Sequence, residues 1–95
     1  MKHLLSFRTY RRLNPATNKI EVQIICVFVK KRGTNHEIKD YMCFIDNDEM
    51  LVCCHEWLIE NTQTATKEQY TPILDLMCNG QSYTRDRIDI DQNYF

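Results

Sequence analysis

Residues 20–31 read IEVQIICVFVKK, and this stretch decides the fold. Apolar and polar side chains alternate from Ile20 to Ile24, and from Ile24 to Val29 every side chain is apolar. Alternation is typical of a strand with one solvated face, whereas an unbroken apolar run indicates a strand covered on both faces. We therefore predict a strand over residues 20–31 that is central in a β-sheet.

The flanking segments predict antiparallel neighbours for this strand. Residues 3–13 alternate as a first strand, and residues 14–18 (Asn-Pro-Ala-Thr-Asn) collect turn formers, since proline presets φ and asparagine tolerates the left-handed region. A second turn at residues 32–36 and a third alternating segment at residues 37–45 follow. The first half of the chain is thus expected to be an antiparallel meander.

Residues 46–62 leave two structures open. An acidic first turn and helical spacing favour a helix, whose apolar face would hold Met50, Cys53, Cys54, Trp57 and Leu58. Residues 50–54 could instead pair back on the third strand, because Val and Cys also suit a strand. We prefer the helix.

The segment from Thr66 to Gly80 predicts a second helix. Thr66 and Gln69 have the spacing of a capping box, and the apolar stripe that follows ends at an Asn-Gly stop. Pro72 offers a later start, with Thr71 as the cap. Beyond this helix, residues 83–90 alternate apolar and charged side chains, which predicts a final strand at the edge of the sheet.

Length and pattern together define the expected fold class. At 95 residues the chain has room for one domain, residues 1–95. We expect an α+β fold, with an antiparallel sheet of about four strands and one or two helices packed on one face.

The charge of the chain is divided along its length. Residues 1–40 hold nine Lys/Arg against three Asp/Glu, and residues 41–95 hold three against ten, although the formal net charge is only −1. Clusters of one sign raise encounter rates with charged partners without any catalytic residue. The division therefore indicates binding rather than chemistry.

Motifs for catalysis are missing from the sequence. Gly33 and Gly80 are isolated, so they form no glycine-rich phosphate loop, and Ser6 and Ser82 lack a nucleophile-elbow context. We expect no enzymatic activity, no catalytic residues and no cofactor. The longest apolar stretch covers six residues, against the roughly 20 that span a bilayer, so no membrane passage is expected.

Cysteine usage predicts a reducing, cytoplasmic compartment. The first residues of the sequence lack the apolar h-region expected of a signal peptide. The cysteines form an odd set of five without a C-x-x-C pair: Cys26, Cys43, Cys53, Cys54 and Cys78. In the Cys53-Cys54-His55 run, adjacent side chains on a helix point about 100° apart and cannot converge on one ion. We therefore expect free thiols and no metal site.

Each charged half suggests its own binding surface. The acidic half could bind a larger protein through Asp46, Asp48, Glu49, Glu56, Glu60, Asp86, Asp89 and Asp91. The basic hairpin could hold phosphates and stack bases through Arg8, Tyr10, Arg11, Arg12, Lys19, Lys30, Lys31 and Arg32. Protection of an edge strand by positive charge would explain the basic set equally well.

The leading hypothesis from sequence is a small non-enzymatic protein-interaction module. It would be an accessory or inhibitor protein of viral, phage or mobile-element type that binds a larger cytosolic protein or nucleoprotein through charged faces. The alternative is RNA or DNA binding through the basic hairpin, which the net charge of −1 disfavours. A homodimer through the edge strand at residues 83–90 is a further expectation.

Overall fold

The computed structural model describes residues 3–29, 40–45, 49–79 and 83–95. Within these ranges the chain forms six strands and two α-helices, and the α+β class is confirmed. The elements are β1 (His3–Asn14), β2 (Lys19–Val29), β3 (Asp40–Ile45), β4 (Glu49–Cys54), α1 (His55–Asn61), β5 (Thr62–Thr64), α2 (Lys67–Asn79) and β6 (Ile88–Ile90). The expected count of about four strands was too low, because residues 49–54 form a strand where a helix was preferred, and β5, with three residues, is too short to give a periodic signal.

The sheet is mostly antiparallel and has the order β4-β3-β2-β1-β5, with β6 pairing parallel to β1. The predicted hairpin of β1 and β2 is confirmed, with a register that runs from Leu4 opposite Val29 to Asn14 opposite Lys19. Asn18 ends the turn at φ 55°, in the left-handed region that asparagine tolerates. Its N–H donates to the Asn14 carbonyl at 2.8 Å, which closes the turn.

The outer edge of β1 is shared by two short strands. β6 pairs with residues 3–5 of β1, and β5 pairs with residues 8–10. Between them, the side-chain amide of Gln92 takes the place of a peptide group. Its Oε1 accepts from the Phe7 N–H at 2.7 Å, and its Nε2 donates to the Phe7 and Ala65 carbonyls at 3.0 and 2.7 Å. The ladder along β1 is therefore continued by a side chain where neither strand reaches.

Residues 49–61 divide between the two structures that their sequence allowed. Residues 49–54 form β4, so the helix preferred for them was wrong, while α1 occupies residues 55–61. β4 pairs with β3 over six residue pairs, and this pairing places Cys53 beside Tyr41 in the core. Pairing with β3 thus determined the structure of residues 49–54, although their local periodicity favoured a helix.

The second helix begins where the capping box predicted. The Thr66 N–H donates to Gln69 Oε1 at 2.9 Å, and the Gln69 N–H donates to Thr66 Oγ1 at 3.3 Å. α2 therefore starts at Lys67 and carries Pro72 inside it, rather than starting at the proline. Its buried residues are Tyr70, Leu74 and Met77.

The two helices cover opposite faces of the sheet, so the expectation of helices on one face was wrong. α2 packs over Leu5, Phe7 and their neighbours on one face. α1 supplies Leu58 to a second core on the other face, which the C-terminal residues also join. This arrangement follows from β2, because its apolar side chains point to both faces of the sheet and each face must be covered from water.

The final strand is shorter than predicted. A 3-10 turn occupies Arg85–Arg87, and β6 begins only at Ile88. Ile88 and Ile90 pack against the α2-side core, as their alternation indicated.

Candidate functional site

The β1–β2 hairpin projects beyond the rest of the sheet. In the register of the described strands, β5 reaches only as far as Tyr10 and β3 only as far as Ile25, so residues 11–14 and 19–22 pair with each other alone. We call residues 11–22 the hairpin arm. On its α2-side face it carries three large apolar side chains that are half or more exposed: Leu13, Ile20 and Val22.

The opposite face of the hairpin arm is polar. Arg12 stands opposite Glu21, and Asn14 stands opposite Lys19. The Asn14 amide donates to Glu21 Oε1 at 2.9 Å. Arg11 pairs with Val22 on the apolar face, so the three exposed cations of the arm lie on two faces. The hairpin arm is thus an amphipathic ribbon with an excess of positive charge.

The structure separates the sequence-predicted basic residues. Arg11, Arg12 and Lys19 are exposed on the hairpin arm, whereas Arg8 is only 6% exposed. Tyr10 packs its ring against Trp57, with the centroids 5.1 Å apart. Lys30, Lys31 and Arg32 lie outside the described residues.

The Arg8 side chain is buried and hydrogen-bonded rather than exposed to solvent. Its guanidinium donates to Thr62 Oγ1 at 2.9 Å, to the Thr62 carbonyl at 2.9 Å and to Thr64 Oγ1 at 2.8 Å. The Phe95 ring covers it, with the centroid 5.1 Å from Cζ. Burial lowers the pKa of Arg8 from its usual value. The side chain therefore fastens β5 to β1 and presents little surface to solvent.

The sequence-predicted acidic residues fall into two groups. Glu56 and Glu60 are exposed on α1, and Asp86, Asp89 and Asp91 lie in and around β6. That second group is interleaved with cations, because Arg85 and Arg87 belong to the same 3-10 turn as Asp86. Asp89 and Asp91 follow that turn, Glu49 begins β4, and Asp46 and Asp48 lie outside the described residues.

Arg85 is held by a further acidic residue. Its guanidinium forms an ion pair with Asp75 of α2. Charge near β6 is therefore partly compensated, whereas Glu56 and Glu60 are exposed on α1.

Sequence reasoning missed a second apolar surface, on β3 and β4. Met42 and Val52 stand opposite each other, and Met50 stands opposite Phe44, all on the α2-side face. Met42, Met50 and Val52 are each more than half exposed. We call these three residues the β3–β4 patch. The strand alternative for residues 50–54 would have predicted part of this surface, because residues two apart in a strand, such as Met50 and Val52, lie on the same face.

The C-terminal aromatic residues pack on the α1-side face. The Phe95 ring contacts Tyr41 and His55, with centroids 5.5 and 5.6 Å apart, and Tyr94 contacts Tyr41 at 6.2 Å. The Tyr41 hydroxyl and His55 Nδ1 share a hydrogen bond of 2.8 Å. These residues close the second core, so they are accounted for by packing.

Three of the five thiols are buried, those of Cys26, Cys43 and Cys53. Burial raises the pKa of Cys26 to about 12 and also raises the pKa values of Cys43 and Cys53. A thiol with a raised pKa is a poor nucleophile at neutral pH. No group of three His, Cys, Asp or Glu side chains suited to a metal ion occurs in the described part of the chain.

One open cleft of about 290 Å³ lies at the base of the hairpin arm, beside the end of α1. Thr9, Arg11, Glu60 and Gln63 contribute polar groups to it. Its wall contains no cysteine or histidine, and the charges of Arg11 and Glu60 are opposite.

Within the described ranges, no helix has the length and apolar character needed to cross a membrane. Comparisons with protein-family models, with curated proteins and with solved structures found no match to this chain.

Proposed function

We propose that this chain is a small non-enzymatic module that binds a surface of a larger protein, in an accessory or inhibitory role. The observation that carries the proposal is the hairpin arm, a two-stranded ribbon with one apolar face exposed to water. A two-stranded ribbon is marginally stable without further strands or a covering surface. A partner that covers the apolar face of the hairpin arm would supply the packing contacts that further strands would otherwise provide.

The apolar face of the hairpin arm offers substantial binding energy. Full burial of a Leu, Ile or Val side chain contributes about 1.5–3 kcal/mol, and about half of that remains available where half of the side chain is exposed. Leu13, Ile20 and Val22 could together supply several kcal/mol. Ordering and lost freedom on association offset part of that gain, so the three residues would act as anchors within a larger contact.

Charge indicates the chemistry of the partner. Arg11, Arg12 and Lys19 outnumber Glu21 on the hairpin arm, so an apolar groove with an acidic rim would be complementary. The acidic surface of α1, with Glu56 and Glu60, would be repelled by such a rim. Because the hairpin arm is positive and α1 is negative, the field of an acidic partner would orient the molecule so that the arm approaches the partner first.

Affinity capture with matched variants tests the proposal. The tagged chain, Leu13→Glu and Ile20→Glu are used to capture proteins from a cytosolic extract, and Leu76→Glu serves as the control because Leu76 is 53% exposed, close to the 56% of Leu13. The proposal expects a partner that both arm variants lose and the control keeps. A partner lost equally in all three variants, or capture of no protein at all, would refute it.

Nucleic-acid binding is the second candidate function, because a projecting β-ribbon can enter a major groove and three exposed cations lie on this one. The double variant Arg12→Glu, Lys19→Glu should abolish retention on heparin while circular dichroism stays unchanged. Arg8 is excluded from that experiment because its substitution would unfold the edge of the sheet. Absence of retention at low salt would eliminate this candidate.

A further inference from the structure

The β1 strand of the hairpin arm turns main-chain hydrogen-bonding groups outward, away from β2. In an antiparallel strand the N–H and the carbonyl of one residue point to the same side, and the side alternates along the chain. The Leu5 carbonyl accepts from the Asp91 N–H at 2.9 Å. The Phe7 carbonyl accepts from the Ala65 N–H at 3.0 Å, on the same side. Odd-numbered residues of β1 therefore face outward, and Leu13 is one of them.

Within the described ranges no strand lies beside the outer edge of residues 12–14. The pairing of β5 with β1 ends at Tyr10 opposite Thr62, because the chain before Thr62 is the helix α1. The open cleft of about 290 Å³ lies at this point, lined by Arg11 and by the last turn of α1. A further strand could therefore continue the line of β5 along residues 12–14.

We propose that an extended, acidic segment of the partner adds to the sheet at this edge, antiparallel to β1. This contact presupposes the proposed function, since the hairpin arm is the surface through which the partner binds. Main-chain hydrogen bonds to Leu13 hold the segment, and its alternate side chains give specificity. A contact of three residues is enough for a strand in this sheet, because β5 and β6 have that length.

Charge selects an acidic strand for this edge. Residues 11–14 (Arg-Arg-Leu-Asn) carry two cations and no carboxylate. Opposite charges that face each other on neighbouring strands stabilise a sheet and like charges destabilise it, so a second copy of this edge is disfavoured. The nearby carboxylates lie away from the edge. Glu21 is on β2, where it accepts from the Asn14 amide, and Glu60 is on the α1 wall of the cleft.

The two faces of the hairpin arm define the sequence pattern of the bound segment. Side chains that stand opposite each other on neighbouring strands lie on the same face of the sheet. A residue opposite Leu13 lies on the apolar face, which Ile20 shares, and a residue opposite Arg12 lies on the polar face. The segment therefore alternates apolar and acidic residues, with an acidic residue beside Arg12.

Proline substitution separates main-chain pairing from side-chain contact. Leu13→Pro removes the outward N–H and leaves the bonds to β2 in place, since proline is tolerated where the N–H faces away from the neighbouring strand. Leu13→Ala also removes the leucine side chain but keeps the N–H. Val22→Pro is the control for the other edge, because Val22 stands opposite Arg11 and its N–H faces away from β1. Circular dichroism checks that each variant is folded.

Fluorescence anisotropy with a defined peptide measures the affinity. The probe is a labelled peptide of three Asp-Val repeats, titrated with protein to about 0.5 mM at low salt, and the same peptide with lysine for aspartate is its control. The acidic peptide should bind at least about tenfold more tightly than the lysine peptide. Leu13→Pro should bind the acidic peptide at least about tenfold more weakly than Leu13→Ala does. Val22→Pro should stay within about threefold of the parent.

Hydrogen exchange gives an independent measurement on the unmodified chain. The acidic peptide should slow exchange of the Leu13 amide and leave the Val22 amide unchanged. The proposal is overturned by absence of binding, by equal affinities of the two peptides, by equal affinities of Leu13→Pro and Leu13→Ala, or by equal protection of the two amides.

The same variants distinguish this proposal from the proposed function. An extract partner that Leu13→Glu loses, but that Leu13→Pro and Leu13→Ala capture equally, would leave the binding function standing and refute strand addition. Capture of no protein by any variant would refute the proposed function, whatever the peptide does.

Discussion

Replacing Gln92 with alanine should destabilise the fold far more than its place near the C-terminus would suggest. The side chain makes three hydrogen bonds with the backbones of β1 and of the segment after β5, at 2.7, 3.0 and 2.7 Å. In Gln92→Ala the N–H of Phe7 loses its partner at a site that is partly buried. The substitution also leaves the Phe7 and Ala65 carbonyls with fewer donors.

The magnitude follows from the number of bonds removed. Each intramolecular hydrogen bond contributes about 0.5–1.5 kcal/mol net, and a buried group left unpaired costs about 1–3 kcal/mol. Since water can reach part of this site, we expect a loss of about 2–4 kcal/mol in the free energy of unfolding. A domain of this size has about 5–14 kcal/mol of stability, so the variant should still fold.

Urea denaturation measures the effect, with Gln63→Ala as the control. Gln63 is an exposed glutamine on neighbouring β5, and its replacement should change stability by less than about 0.5 kcal/mol. Gln92→Glu keeps the acceptor for the Phe7 N–H but loses both donated bonds, so it should be nearly as unstable as Gln92→Ala at neutral pH. A Gln92→Ala variant within about 0.5 kcal/mol of the parent would refute the role assigned to this amide.

Four further substitutions or treatments test the buried polar groups and thiols. Arg8→Lys should cost about 2–4 kcal/mol in urea denaturation, because lysine cannot reproduce three directed bonds to Thr62 and Thr64, whereas exposed Arg12→Lys should have little effect. Ser6→Ala should leave stability unchanged or raise it by up to about 1 kcal/mol, since the buried Ser6 hydroxyl has no hydrogen-bond partner among the described residues; a clear loss would contradict this. In thiol labelling with Ellman's reagent, exposed Cys54 should react in the native state and Cys26 only after unfolding, and rapid native labelling of both would contradict the burial. Burial raises the pKa of Cys26 from 9.0 to about 12, so the neutral buried thiol favours the folded state. This contribution to the free energy of unfolding is intact below pH 9 and should be lost progressively as the pH rises toward 12. Urea denaturation at a series of alkaline pH values can measure the loss.

Local signals predicted the parts of the fold that local interactions build. The β1–β2 hairpin follows from its turn residues, and α2 follows from the Thr66–Gln69 capping box, whose reciprocal bonds are formed as expected. β5 gave no usable signal, because a three-residue strand has no measurable period and exists through its pairing with β1. Gln92 could not be recognised for the same reason, since its partners are 85 and 27 residues away in the chain.

The candidate surfaces were predicted only in part. Alternation correctly places Arg8 and Tyr10 on one face of β1, but it cannot show that Thr62, Phe95 and Trp57 cover them there. The charge count along the sequence likewise cannot show that Arg85 forms an ion pair with Asp75 of α2. Burial of a side chain depends on elements distant in sequence, and the charge count does not contain that information.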